Sequence, residues 1–290
     1  MGKTKFELFD AVNYTLITII TIVMVYPFLN VASVSLSSYS AYVNNPMMIW
    51  PHDFTFGAYK EIMSRSLLWR SYLNTILVTV SGVGIGILLY ILTAYPLSKK
   101  VLKGRKTLMV LVIFTMLFNG GLIPNFYLMR SLGLLDTLAA LTLPALISGF
   151  SLILMKNFFE SLPEELEEAA RIDGASDPYI LFRIVVPLSK PIVATLCLFA
   201  AVGYWNNFFN GIIYIRSETK WPLMLYLREV IEAASTMAQQ ANAAEMGASQ
   251  VTSETLKYAT LMIVMIPILC VYPFLQKFFV KGIMLGSVKG

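Results

Sequence analysis

At 290 residues, 57% hydrophobic and only 13% charged, the chain carries about half the charge of an average soluble protein. A composition this apolar cannot hide its surface in a compact soluble core, which excludes an ordinary soluble enzyme and assigns much of the surface to a bilayer. The net charge of +5, from 22 Lys and Arg against 17 Asp and Glu, then reports membrane topology rather than a nucleic-acid partner, and two cysteines in separate apolar runs, Cys197 and Cys270, exclude a disulfide framework or metal cluster.

Charge-free runs long enough to cross the hydrocarbon as helices, about 20 residues each, predict an all-α integral membrane protein. The spans fall at about 12–34, 72–97, 107–129, 137–155, 191–213 and 258–276. A barrel would read as alternating segments of about 10 residues instead. The first span is too long, and too poor in a small-residue cleavage site, to be a signal peptide, so it is expected to stay. Ser, Asn and Pro rise after it, and 35–51 reads as an external loop. In the second span Gly82, Gly84 and Gly86 follow no strand, so close helix packing explains them better than nucleotide binding. Lys99-Lys100-Val101-Leu102-Lys103-Gly104-Arg105-Lys106 reads as a topology anchor. Asn119, Gly120, Gly121 and Pro124 would loosen the third span, and Pro144 and Pro267 the fourth and sixth.

The loop 156–190 reads as helix, turn, helix. Ser161 and Glu164 spell a capping box, Pro163 fits the first turn, and Glu164, Glu165, Glu167 and Glu168 suit the positive end of a helix dipole. Gly174 ends that helix. Asp177 caps a second helix that has Pro178 at its first position. Leu162, Leu166, Ala169 and Ala170 are predicted on one apolar face, and Tyr179, Phe182 and Val186 on the other helix's. Beyond the fifth span, 216–257 reads as a long external loop with an Ala-rich middle from Ala233 to Ser249.

Most of the Lys and Arg, including the cluster at 99–106, Lys156, Arg171, Arg183, Lys190, Lys277 and Lys281, fall on one side of the six spans. Both termini are therefore expected in the cytoplasm. No Asp, Glu, Lys, Arg or His lies within the spans as drawn, although a proton-coupled carrier usually keeps some there despite a cost of about 2.5–3.5 kcal/mol each. The one histidine, His52, sits in the first external loop. Catalysis within the chain is not expected, and an energy source for transport must come from outside it.

Glu168-Ala169-Ala170-Arg171-Ile172-Asp173-Gly174-Ala175, followed at the family's spacing by Ile184-Val185-Val186-Pro187, resembles the EAA motif of permease subunits of binding-protein-dependent ATP-driven importers. Val186 stands where that motif has Leu, an apolar-for-apolar change. Trp50 to Tyr59, Gly203-Tyr204-Trp205-Asn206-Asn207-Phe208 and the tail from Phe279 to Gly290 are similar to the carbohydrate-uptake branch, which includes the second permease of the maltose importer. The long external segment resembles permeases for pectin- or alginate-derived oligosaccharides.

The resemblance implies the type I importer permease fold and alternating access. The loop around Glu168, Ala169, Ala170, Asp173, Gly174, Ala175 and Pro187 would dock on an ATPase dimer, and that partner would bind ATP and Mg, because this chain has no G-x-x-x-x-G-K-[ST] loop. A homologous second permease and an extracytoplasmic solute-binding protein would complete the complex, in the bacterial cytoplasmic membrane and without nucleic acid. Sugars are held by aromatic faces and by amides that bond hydroxyls, so Tyr204, Trp205, Asn206 and Asn207 are candidates for the substrate path. Two other readings stay open: an importer permease of the same type for a non-sugar solute, and a facilitator or scaffold uncoupled from ATP.

Overall fold

Residues 8–240 and 253–286 are described by a computed structural model in which they form helices and connections, with no strand among them. In chain order the helices are α1 (Leu8–Ser35), α2 (Tyr39–Asn44), α3 (Gly57–Ser64), α4 (Ser66–Ser98), α5 (Arg105–Leu117), α6 (Leu122–Ser131), α7 (Ala139–Thr142) and α8 (Gly149–Glu160). There follow α9 (Glu165–Ile172), α10 (Asp177–Ile180), α11 (Val186–Leu188), α12 (Lys190–Trp205), α13 (Phe209–Tyr214), α14 (Leu223–Gln240) and α15 (Ser253–Gly286). In a bilayer core, backbone groups without water must bond within their own segment, and helices satisfy that condition.

Phe9–Ser35, Ser66–Ser98 and Ser253–Cys270 are each long and apolar enough to cross a membrane unbroken. Three further candidates are broken pairs: α5 with α6, bent by 111°, the turn from Ala139 to Ala145 with α8, bent by 52°, and Asp177–Leu188 with α12, bent by 80°. The third predicted span is thus not one straight helix. Its chain turns at Phe118–Gly121, where the Asn119 side chain accepts the Gly121 N–H at 2.9 Å and replaces a lost helical bond. At the second break, the Ser148 N–H that opens α8 is satisfied by the Tyr90 hydroxyl at 2.7 Å. Near the fifth predicted span, α12 ends at Trp205 and the short α13 follows.

The described residues divide into two units. One holds residues up to Leu68 together with Leu227–Ile266. Within it, the segment after α1, read from sequence as an open loop, folds back onto the end of that helix. Asn30 Nδ2 donates to the carbonyls of Pro46 and Met48, both at 2.9 Å, and Ser33 Oγ donates to Ile49 O. Val34, Ala41 and Met48 form a small core, joined by Tyr42 and Tyr258.

The other unit holds Trp69–Tyr226 and the described chain from Pro267 to Gly286. Its main core joins four elements: Ile87, Tyr90, Ile91, Ala94 and Tyr95 from α4, Leu152, Met155 and Phe159 from α8, Ile180 and Val185 around α10, and Leu196 from α12. Lipid tails are as apolar as leucine, so close approach and hydrogen bonding decide such packing more than burial does. Gly82 is one such approach: a Cβ there would stand 2.4 Å from the Tyr204 ring. Gly86 faces the Leu146 carbonyl one turn on, while Gly84 faces open space.

The sequence 216–257, expected as a loop, contains α14. Its first N–H, of Leu223, donates to the Thr75 hydroxyl at 2.7 Å, and Leu223, Leu225 and Tyr226 are buried. Apolar side chains recurring along the first two turns give this stretch a buried face, which its polar and Ala-rich composition masks. The rest of the Ala-rich middle, from 241 to Ser249, and the end of the tail, 287–290, lie outside the described residues.

Candidate functional site

The helix-turn-helix from Glu165 to Leu188 begins without the predicted caps. Ser161 belongs to the preceding helix, where its hydroxyl donates to Phe158 O at 2.7 Å, and Glu164 stands at the start of α9 with no side-chain cap bond. Ser176, not Asp177, precedes α10. Asp177 is used across the turn instead, accepting from Arg171 Nη2 at 3.1 Å, and this carboxylate raises the Arg171 pKa further.

The turn itself is closed as the glycine suggests. The Ala175 N–H donates to Ala170 O and the Gly174 N–H to Arg171 O, both at 3.0 Å, with Gly174 at φ +80°. This 6→1 and 5→2 pairing is the Schellman arrangement, and it satisfies the last carbonyls of α9.

The predicted faces are divided: Leu162, which lies before α9, Ala170 and Val186 pack partly buried against the main core, while Leu166, Ala169, Tyr179 and Phe182 are exposed. The buried side chain of α9 is Glu167, at 8% exposure. Its carboxylate is gripped by Lys99 Nζ and accepts the Tyr95 hydroxyl at 3.2 Å, while the same ammonium lies 4.7 Å over the Tyr95 ring. A charge this deep is tolerated only when paired and hydrogen-bonded. Beside it Arg105 Nη2 bonds Glu160 at 2.6 Å, its Nε bonds Leu97 O at 2.8 Å, and Lys156 shares Glu160. Lys156 and Arg105 hold the Glu160 carboxyl below its ordinary value. The basic cluster at 99–106 is therefore a fastener as well as a charge signal.

Of the EAA residues, Glu168, Ala169, Asp173, Gly174 and Pro187 are exposed, while Ala170 and Ala175 are half-buried against the main core. Ile172 stands 86% exposed between them. The hairpin thus offers a rigid surface with two outward carboxylates and an isolated aliphatic side chain.

The four path candidates separate. Tyr204 is buried, its hydroxyl donating to Thr142 O at 3.1 Å, and with Asn207 it lines a cleft of about 290 Å³ bounded also by Tyr90, Ser148, Ser151 and Phe199. Trp205 turns away, its ring 6.2 Å from that of Tyr72 and edge-on to it. Asn206 is exposed and donates back to Val202 O at 3.0 Å. Consecutive helical residues point about 100° apart, so four in a row cannot share one wall. The cleft therefore combines hydroxyls, one amide and aromatic faces, a lining suited to bonding hydroxyl groups.

Sequence reading missed a cluster around Asp136 in the same unit. Asp136, at φ 56°, accepts the backbone N–H of Arg216 and Ser217, the Ser217 hydroxyl and the Lys220 ammonium at 2.7–3.0 Å. Those donors, Lys220 first, hold its carboxyl well below the usual carboxylate range. Its partners lie some 80 residues away, so no local pattern announces them.

Residues 6–285 match the family described as the inner membrane component of binding-protein-dependent transport systems. The chain is 44% identical to the polygalacturonan/rhamnogalacturonan transport system permease protein YtcP of Bacillus subtilis (strain 168) over 287 residues, 99% of this chain and 100% of that one. Protein LplC of the same organism is 43% identical over 291 residues, 100% of this chain and 98% of its own. A chain in the crystal structure of a bacterial ABC transporter involved in the import of the acidic polysaccharide alginate superposes with a TM-score of 0.85 at 36% identity, covering 96% of this chain and 99% of that one.

Proposed function

The chain belongs to the family of inner membrane components of binding-protein-dependent transport systems, and on that premise we propose that it carries oligosaccharides, of the acidic kind derived from pectin or alginate, across the cytoplasmic membrane. It is a transport subunit of an ABC importer rather than an enzyme. The proposed assembly has a second, homologous permease, an ATPase pair that binds ATP and Mg, and an extracytoplasmic solute-binding protein. Six crossings with both termini in the cytoplasm put the hairpin on the ATPase side, in keeping with the basic residues around it.

The observation that carries this reading is the hairpin's construction. Glu168, Asp173 and Gly174 point outward from a turn closed by its own backbone bonds, while its inner side is held by Glu167. An element rigid within and unfinished without is suited to a partner that pushes on it. ATP binding would close the ATPase pair, displace the docked hairpin and rock the spans between inward-open and outward-open states. The uncharged cleft at Tyr204 and Asn207, which Phe199 also lines, supports a path for sugar hydroxyls.

The test is reconstitution of the complex in proteoliposomes with ATP on the ATPase side and the binding protein outside. Uptake of oligogalacturonate, with ATP hydrolysis rising when the loaded binding protein is added, is the expected result. Stimulation by a peptide or polyamine alone would reassign the cargo. ATP-independent movement would convert the reading to a facilitator.

A further inference from the structure

The hairpin is fastened to more than its chain neighbours. Tyr95 lies in the last turn of α4 and Lys99 is the residue just past its end, and both hold the Glu167 carboxylate. The side chains of Lys99 and Glu167 are only 24% and 10% exposed, so solvent screens the pair weakly. The neighbouring Glu168 points outward. Two consecutive glutamates of α9, about 100° apart around the helix, therefore differ in use, Glu168 exposed to a prospective partner and Glu167 turned to Tyr95 and Lys99.

Followed along α4, this contact leads to the cleft. Tyr90 precedes Tyr95 by five residues, about 7.5 Å of helix rise. Its hydroxyl holds the N–H that opens α8 and borders the cleft beside Ser148 and Ser151. Just over two turns beyond, Gly82 lies against the Tyr204 ring on the cleft's other wall. A single continuous helix thus touches the hairpin at one end and both cleft walls further along.

We propose that Glu167 is a positioning residue for transport: its bond to Lys99 and Tyr95 passes displacement of the hairpin directly into α4, which moves the walls of the cleft. Chain connectivity links the hairpin only to α8 and α12, the helices on either side of it. The main core also packs α4 against Ile180 and Val185 of the hairpin's second half, and the ionic fastening ties α4 to α9 as well. Without it the hairpin would still meet the ATPase through Glu168 and Asp173, but part of its motion would be lost as slip between α9 and α4. The inference rests on the importer reading above and adds to it a specific route for force.

The experiment uses the whole importer in proteoliposomes and reads sugar uptake and ATP hydrolysis from the same sample. Glu167→Gln keeps the side chain's shape and removes its charge. The expected result is that the ATPase still co-purifies and hydrolyses ATP while sugar moved per ATP falls about tenfold. Exchanging the partners, Lys99→Glu with Glu167→Lys, should bring the ratio back to within about twofold, as expected of a pair coupled to one another.

Should Glu167→Gln prevent assembly, Lys99→Met with Glu167→Met provides a folded alternative, because replacing both members of a buried pair is commonly tolerated. That double variant should remain uncoupled. A wild-type uptake ratio in Glu167→Gln or in the double Met variant overturns the proposal. So does loss of ATPase binding by an assembled, membrane-inserted Glu167→Gln pair of permeases, which would make Glu167 a docking residue. If the wild-type complex shows no ATP-driven uptake, the importer reading fails first and this inference falls with it.

Discussion

Gly82 and Asp136 illustrate how single residues carry structure that their types only hint at. The glycine string in α4 signals close packing, yet only Gly82 and Gly86 use it, because residues four apart share a helix face and Gly84 does not. Gly82→Ala should force the Tyr204 ring aside and cost about 1–3 kcal/mol, read as a lowered unfolding midpoint in detergent. Asp136 works by charge. Asparagine tolerates the same left-handed backbone, so Asp136→Asn isolates the carboxylate and should cost about 1 kcal/mol, allowing for the partial exposure of Lys220. Because the folded pKa lies below the unfolded value of about 3.9, the stabilisation is fully present above that pH and fades as pH falls toward the folded value. The difference between Asp136→Asn and wild type should therefore stay constant from about pH 5 to 8 and shrink only in strong acid. A difference that vanished near neutrality would contradict the ion pair as described.

The hairpin shows the same division among elements. Its helix, turn and second helix are legible because Gly174 and Pro178 act through their own backbone geometry. The caps are not, because Ser161 and Asp177 each had two possible partners, and the choice fell to α8 for one and to Arg171 for the other. No atom lies within 4 Å of a Cβ built at Gly174, so substitution there meets no obstacle inside the chain and the strain comes from φ. Gly174→Val should cost about 1–2 kcal/mol in the turn and strongly reduce ATP-driven uptake while the protein still inserts. Gly174→Asn, which accepts positive φ, should retain most uptake. Equal loss in both variants would show that the docked partner needs the space more than the turn needs the glycine. The bends at 118–121 and 146–148 had local warnings in Asn119 and Pro144, but their angles depend on what satisfies the freed backbone groups, such as Tyr90 at Ser148.

At the scale of the whole molecule, the chain presents long stretches of uncovered apolar surface, as along α1 from Phe9 to Leu29. Lipid must cover much of it, and whatever binds only the folded chain stabilises it. Adding the companion permease and the ATPase pair to the purified protein should raise its unfolding midpoint, and a midpoint indifferent to both would argue against a permanent complex. The sequence by itself determined the membrane class, the all-helical fold and the family motif, because hydropathy over about 20 residues and the punctuation of Gly and Pro act locally. Only the tertiary structure decided that α14 lies in the presumed loop, that Tyr204 and Asn207 share a cleft while Trp205 and Asn206 leave it, and that Glu167 turns inward to Lys99. Those outcomes depend on partners far along the chain, among them Thr75 for Leu223 and Lys99 for Glu167, and a hydrogen bond between distant residues leaves no period in the sequence between them.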